Sequence, residues 1–432
     1  MKKRASRLPG FYKDSVATRR HRLGEAAGID VDELARVLDH GGLDTTTADK
    51  IVENVVGVHA LPFGLGLNFR VNGKDYLVPM AVEEPSVIAA ASNAAKMVRA
   101  GGGFEAETDP PIMTSQVAVH DVTEPEAKAA RILEASDELL REANASIPGL
   151  VERGGGAREL EVRLVTDEML VVHLYVDCRD AMGANLVNTV AERVGPRIAE
   201  LAEGTLGLRI LSNLCDRRRV RVRCRVPVEA LATSSLPGEE VARNIVRASH
   251  FAESDPYRAA THNKGIMNGV DAIVLATCND WRAVEAGAHA YAARDGYYAP
   301  LAIWRTQGEG DRMHLEGSLE MPLALGIVGG TLRVHASARL ALRLLGTESA
   351  QELAMVAASV GLASNLAALR ALGTEGIQRG HMSLHARAVA IAAGAEGDDV
   401  ELVAAAIVEA GTITVDAAKK VLRALKAEGS AG

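Results

Sequence analysis

The chain has 432 residues, 48% of them hydrophobic and only 3% aromatic. That length predicts two or three domains with cores of Ala, Val, Leu and Ile. A net charge of −8 argues against a general nucleic-acid binder, and no apolar run is expected to reach the ~20 residues that span a bilayer. Cys178, Cys215, Cys224 and Cys278 form no CxxC pair, which fits a reduced compartment and gives no metal framework.

The basic start, MKKRASRLPGFYK, lacks an apolar h-region, so no secretory signal is expected. The expectation is a soluble cytoplasmic α/β protein. Residues 1–50 read as helical, with starts at Val31 and Thr46. Asn72-Gly73, between Asn68–Val71 and Asp75–Pro79, signals a hairpin. A helix from Val87 to Ala100 follows, ended by Gly101-Gly102-Gly103. Its small residues lie on every face, which suits burial on all sides. Glu84 stands just before it, either as a carboxylate serving the helix dipole or as an acid kept protonated by desolvation.

Asp109-Pro110-Pro111 marks a boundary. Beyond it, strand Gln116–Val122, helix Pro125–Ala143, strands Glu159–Val165 and Met169–Asp177, helix Gly183–Ala202 and strand Val220–Val226 spell β-α-β-β-α-β, the ferredoxin-like order. In the last of these, arginines at 217, 219, 221, 223 and 225 alternate with apolar residues. One face is therefore basic. The strands carry almost no aromatics for bases to stack on, so a solvated or partner-paired face fits better than an RNA platform. Asp180-Ala181-Met182-Gly183-Ala184-Asn185 opens the second helix with small residues that let phosphates or a ring approach its N-terminus. No Rossmann fingerprint is present.

The Asp255–Ala292 stretch sets Lys264 between glycine-rich bends. Asp280 comes sixteen residues later, after the apolar run Ala272–Ala276, which reads as a short buried strand. Two readings stand. Lys264 is a loop cation and Asp280 an N-cap for the helix from Trp281, or the two meet and Asp280 holds a charged, oxyanion-stabilising lysine. Gly326–Thr331 is a glycine-rich turn. Helices Ser349–Ser359 and Leu362–Ala371 follow, the second carrying Asn365. Glycines at 373, 376 and 380 suggest a hinge before about three terminal helices. His381 and His385 share a helix face, but Met382 stands where a zinc HExxH helix needs glutamate. No metal is expected, and His381 reads as a general acid carried onto a site by closure.

Taken together, ENVVG at Glu53, EEPSVIAAAS at Glu83, DAMGAN at Asp180, RILSNL at Arg209, DPYRAATHNKGIMNG at Asp255, NDWRAVEAGAHAYA at Asn279, LEMPLALGIVGG at Leu319 and TEGIQRGHMSLHAR at Thr374 resemble the hydroxymethylglutaryl-coenzyme A reductases, soluble bacterial class II. The resemblance spans almost the whole chain in the family's order. It implies reduction of a thioester to mevalonate and coenzyme A by two hydride steps. Lys264 would stabilise the oxyanion with Asp280 beside it, His381 would protonate the departing thiolate, and Glu84 would supply a proton to the aldehyde oxygen. Ser86, Arg258, Asn268 and Asn365 would contact substrate or catalytic groups. Asp180, Met182, Gly183 and Asn185 would line the site of NADH or NADPH. The implied architecture is a large α/β domain (1–109 and 217–375) around a buried central helix, an inserted ferredoxin-like dinucleotide-binding domain (110–216) and a C-terminal helical flap (376–432). It also implies a homodimer with active sites at its interface, in which Glu84 and Lys264 come from different chains or from one.

The resemblance leaves the cofactor open, since Glu152 and Arg153 would favour opposite choices. It leaves the direction open too, mevalonate oxidation being the reverse. A non-catalytic or RNA-binding relative of the same fold is the rival reading. No membrane anchor is expected, nor phosphorylation after His381, where Ala386 and Arg387 stand.

Overall fold

Asn72 and Gly73 both take positive φ, 48° and 78°, the backbone that a two-residue hairpin turn requires. They join β1 (Phe63–Val71) to β2 (Lys74–Ala81) in antiparallel register, Val71 opposite Lys74. The computed structural model describes residues 5–39, 41–308, 310–374 and 377–429, with positions 311, 331, 377–384 and 427–429 described by backbone alone.

The remaining strands are β3 (Phe104–Thr108), β4 (Ile112–His120), β5 (Gly156–Thr166), β6 (Met169–Asp177), β7 (Thr205–Leu211), β8 (Arg219–Pro227), β9 (Ala302–Gln307) and β10 (His314–Pro322). They form a six-stranded sheet in the order β2-β1-β3-β8-β10-β9 and a four-stranded sheet in the order β5-β6-β4-β7. The smaller sheet has the ferredoxin-like strand order and its own core, in which Val117, Val172 and Leu174 pack on Val187, Val190 and Val194 of the helix Ala184–Ala202.

One expected strand belongs elsewhere. The arginine-rich segment does not close the small sheet; β7 does. β8 lies inside the six-stranded sheet, between β3 and β10. Its alternation has a pairing reason. Val220, Val222, Cys224 and Val226 are buried, while Arg219, Arg221 and Arg225 meet carboxylates on or just beyond neighbouring strands. Arg219 and Arg221 reach Asp109 at 2.8 and 2.9 Å, Arg221 also reaches Glu320 at 2.6 Å, and Arg225 reaches Glu316 at 2.9 Å. Most of the basic face is paired within the chain.

The helix Val87–Ala100 is not closed on every side within one chain. Val87, Ala91, Ala94, Ala95 and Val98 face the core, while Ala89, Asn93, Lys96 and Ala100 are exposed. The buried central element is a different helix, Ala350–Gly373, one continuous helix where two were expected. It is long and apolar enough to cross a membrane, contrary to the expectation that no such run exists, but 78% of its apolar window is buried inside the protein. Glycine permits close packing on a neighbouring helix. A Cβ on Gly361 would stand 2.8 Å from Val270 and 3.0 Å from Ile266, both on the helix Pro256–Ala276. The last three helices, Ile377–Ala392, Asp399–Glu409 and Val415–Gly429, have a core of their own around Val389, Val403 and Ile407.

Candidate functional site

The Asp255–Ala292 stretch folds as two helices joined by a tight turn. Asp255 caps the first, Pro256–Ala276, by accepting the Tyr257 N–H at 2.9 Å, and Pro256 fills a first-turn position that needs no donor. Ala272–Ala276 is therefore the end of a helix, not a strand, and Lys264 sits mid-helix rather than on a loop. A short apolar run bears the same signature in a buried helix as in a buried strand, which is how the sequence misleads here.

The Lys264 ammonium donates to Glu84 Oε2 at 2.8 Å. Local backbone aims the carboxylate. Glu84 precedes Pro85, which disfavours helical backbone at that position, and Ser86 takes a left-handed φ of 75° as the N-cap of Val87–Ala100. Such a conformation in a non-glycine residue costs about 1–3 kcal/mol. The pair is open to solvent, with side-chain exposures of 61% for Lys264 and 35% for Glu84. Both groups come from one chain.

Asp280 does not join them. It caps the helix Trp281–Ala292, accepting the Ala283 N–H at 3.1 Å, and lies 3.7 Å from Arg282. Helix alone separates Lys264 from Ala276 by about 18 Å. The expected Lys264–Asp280 ion pair is thus not formed within a single chain, and the junction at Asp280 is helix-to-helix. The His381 side chain lies outside the described residues, as do Glu375 and Gly376 of the expected hinge.

Among the expected substrate contacts, Arg258 is half-buried and its side chain makes no ion pair or hydrogen bond among the described residues; burial pulls its guanidinium below the usual range. Asn268, one turn beyond Lys264, is half-buried, and its side chain makes no hydrogen bond among the described residues. Asn365 is a core residue, 1% exposed. It accepts the Trp304 indole N–H at 2.7 Å and donates to the His262 carbonyl at 3.5 Å. In this chain it steadies the helix that carries Lys264. Beside it, burial and the charge of Arg258 push His262 down to about 4, so that ring is neutral.

The expected cofactor residues form a second constellation. Gly183, φ 108°, is the N-cap of the helix Ala184–Ala202, with no side-chain cap and no acid in the first turn. A Cβ there would stand 2.4 Å from Cys178 Sγ. This bare helix start suits a dinucleotide's phosphates. The Asp180 carboxylate accepts the Ala350 N–H at 2.9 Å, tying the loop to the central helix, while its carbonyl accepts the Ile327 N–H at 2.9 Å. A Cβ on Gly326 would stand 2.5 Å from the Met182 nitrogen, so the two loops touch backbone to backbone.

Two residues that fix this arrangement escape a reading of the sequence. Arg218, 5% exposed, donates to the carbonyls of Ala181 (3.3 Å), Met182 (3.0 Å) and Leu325 (2.5 Å). Among the described residues no carboxylate pairs with it, and burial lowers its affinity for its proton. The only signal is the run of three arginines, 217–219, that interrupts the alternation. Asn279 accepts the Gly326 N–H at 2.7 Å and donates to the Gly326 carbonyl at 3.1 Å, which binds the Asp280 turn to the same loop. Nothing in its spacing marks it apart from its neighbour Asp280.

Comparison with known proteins converges on one family. The model of hydroxymethylglutaryl-coenzyme A reductase matches residues 15–386. The 3-hydroxy-3-methylglutaryl-coenzyme A reductase of Archaeoglobus fulgidus is 48% identical over 425 residues, covering 98% of this chain and 95% of that one. A probable reductase of Borreliella burgdorferi is 35% identical over 341 residues, 78% of this chain and 76% of its own length. Among solved structures, the Streptococcus pneumoniae reductase superposes with a TM-score of 0.81 at 41% identity, covering 96% of this chain and 99% of that one. A class II structure from the same organism, bound to NADPH in open conformations, gives 0.80 at 43% identity over 84% of this chain and 99% of that one. The chain belongs to the hydroxymethylglutaryl-coenzyme A reductase family and is an oxidoreductase of that kind.

Proposed function

We propose that this protein reduces 3-hydroxy-3-methylglutaryl-coenzyme A to mevalonate and coenzyme A at a site built on Lys264 and Glu84. The observation that carries the reading is their 2.8 Å contact, beside a strained Ser86 and on the helix that also bears Arg258. When bound, the reduced nicotinamide supplies the hydride for each of two steps. Lys264 is the cation placed for a thioester carbonyl that gains negative charge. Glu84, already in hydrogen-bond contact with it, is the group placed to pass a proton to the aldehyde oxygen formed after the thiol leaves. Arg258, half-buried without a carboxylate, suits the substrate's free carboxylate. His381 is assigned the protonation of the departing thiolate. Gly183 and Asn185 at the bare helix start, with Met182 fixed by Arg218 and Asp180 by the Ala350 and Ile327 N–H groups, would hold the cofactor. The division into 1–109 with 217–375, 110–216 and 376–432 belongs to the same reading.

Asp280 completes the site only from a second copy, so we infer a homodimer in which each chain gives Glu84 and Lys264 to one site and Asp280 to the other. Exposed apolar side chains support this. Val56 is fully exposed, Tyr257 on the Lys264 helix is 87% exposed and Trp281 beside Asp280 is 44% exposed. We place the protein in the cytoplasm.

The test is an assay of the purified protein, following cofactor absorbance with the thioester and either NADH or NADPH, and in reverse with mevalonate, coenzyme A and either oxidised cofactor. Thioester-dependent oxidation of one cofactor is expected. Turnover confined to mevalonate would reverse the assigned direction, and no turnover from a folded dimer would overturn the reading.

A further inference from the structure

The two helices that carry Lys264 and Asp280 touch through a group of polar side chains that the reaction does not use. Asp271 stands seven residues after Lys264, two turns along the same helix face. Its carboxyl meets that of Glu285, five residues into the helix that Asp280 caps. Asp271 Oδ1 is closed off from solvent and lacks a hydrogen-bond partner if both carboxyls are ionised. A proton between them supplies that partner, because two carboxylates in contact away from water do not both stay charged.

The surroundings favour this state. Burial, and after it the contact with Glu285, push Asp271 up to about 8. Glu285 is held low, first by the hydrogen bond from His289, whose Nε2 lies 2.7 Å from Oε2. That contact with Glu285 in turn raises His289. On its far side, His289 Nδ1 lies 2.6 Å from the Tyr298 hydroxyl. These are the titratable groups facing the pair. Among the described residues no lysine or arginine forms an ion pair with either carboxyl.

We propose that Asp271 and Glu285 share one proton and act as a positioning pair, fixing the Lys264 helix against the turn that presents Asp280. The proposal rests on the functional reading above, since it concerns the spacing between the groups one chain gives to its active sites. Loss of the proton sets two carboxylates against each other, and the helix contact must open. Asparagine at 271 can donate to Glu285 at every pH and so keeps the bridge; alanine removes it.

The experiment combines infrared spectroscopy with pH–rate profiles on the whole protein. Wild type should show a carboxylic-acid C=O band that titrates away near pH 8 and is absent in Asp271→Asn. Its kcat should fall several-fold above that pH, and Asp271→Asn should abolish the fall while matching wild type at pH 7. Asp271→Ala should lower kcat about tenfold at pH 7 with KM values held, the effect of displaced catalytic groups rather than weakened binding. Absence of the titrating band, or an Asp271→Asn profile that overlays wild type, would overturn the proposal. A titrating band in a wild-type protein inactive on the thioester would uphold the shared proton and strike down the functional reading instead.

Discussion

Lys264 and Arg218 are both cations set between segments distant in sequence, and their surroundings are opposite. Lys264 is 61% exposed at its side chain and has one carboxylate partner. Arg218 is 5% exposed and is surrounded by carbonyls from two loops. An ammonium open to water with one partner is held loosely and can exchange that partner for a substrate oxygen at little cost. A buried guanidinium without a carboxylate has nothing to exchange, because every contact it makes replaces lost hydration. The first arrangement is chemical machinery and the second is a clamp. The comparison predicts that activity and stability separate between the two residues.

The largest effect belongs to Lys264. Lys264→Ala should reduce kcat by roughly 10²–10³ or more, the scale for losing one oxyanion donor. Its stability should move by less than about 1 kcal/mol, as for other exposed ion pairs. Steady-state kinetics beside urea unfolding checks both halves; a variant that keeps comparable activity ends the oxyanion assignment. Arg218→Met should show the reverse balance. It leaves the Ala181, Met182 and Leu325 carbonyls without their donor, at a cost of roughly 3 kcal/mol. In the protein that still folds, KM for the cofactor should rise while KM for the thioester holds. Equal losses for both substrates would mean that Arg218 serves the fold alone.

The same contrast explains what the sequence could tell. The Asn72-Gly73 hairpin and the limits of the helix Val87–Ala100 were legible because their causes are local, a turn dipeptide and a glycine stop. The Lys264 helix reads in the sequence as loop and strand because its glycines serve contact with a neighbouring helix, which no local rule reveals. A Cβ on Gly269 would lie 2.7 Å from the Val360 carbonyl. Glu84 and Lys264 stand in legible motifs, and the structure brings them together. That Asp280 stands about a helix length away was hidden, because sixteen residues can be crossed in many ways and only the helix fixes the distance. Arg218 was invisible for a related reason. Burial of an arginine depends on which carbonyls surround it, and these come from residues 181, 182 and 325.

The smallest predicted effect lies between the two extremes, at the arginines of β8. Asp109 is partly buried, and burial by itself would raise its affinity for a proton. Hydrogen bonds from Arg221 and Arg219 outweigh that and hold its carboxyl below the usual range. A carboxyl lowered in the folded state stabilises the fold above its unfolded pKa, about 3.9, and that contribution is lost as pH falls through the folded value. At pH 7, Asp109→Asn should therefore cost about 1 kcal/mol or less, because the two arginine side chains remain about a third exposed and water screens them. The deficit should shrink as pH falls below about 4, where wild type loses the same charge. Thermal unfolding of both proteins across that range reads the difference directly. A deficit that stays constant with pH would mean that Asp109 acts by packing, and β8 would then owe its place between β3 and β10 to its apolar face alone.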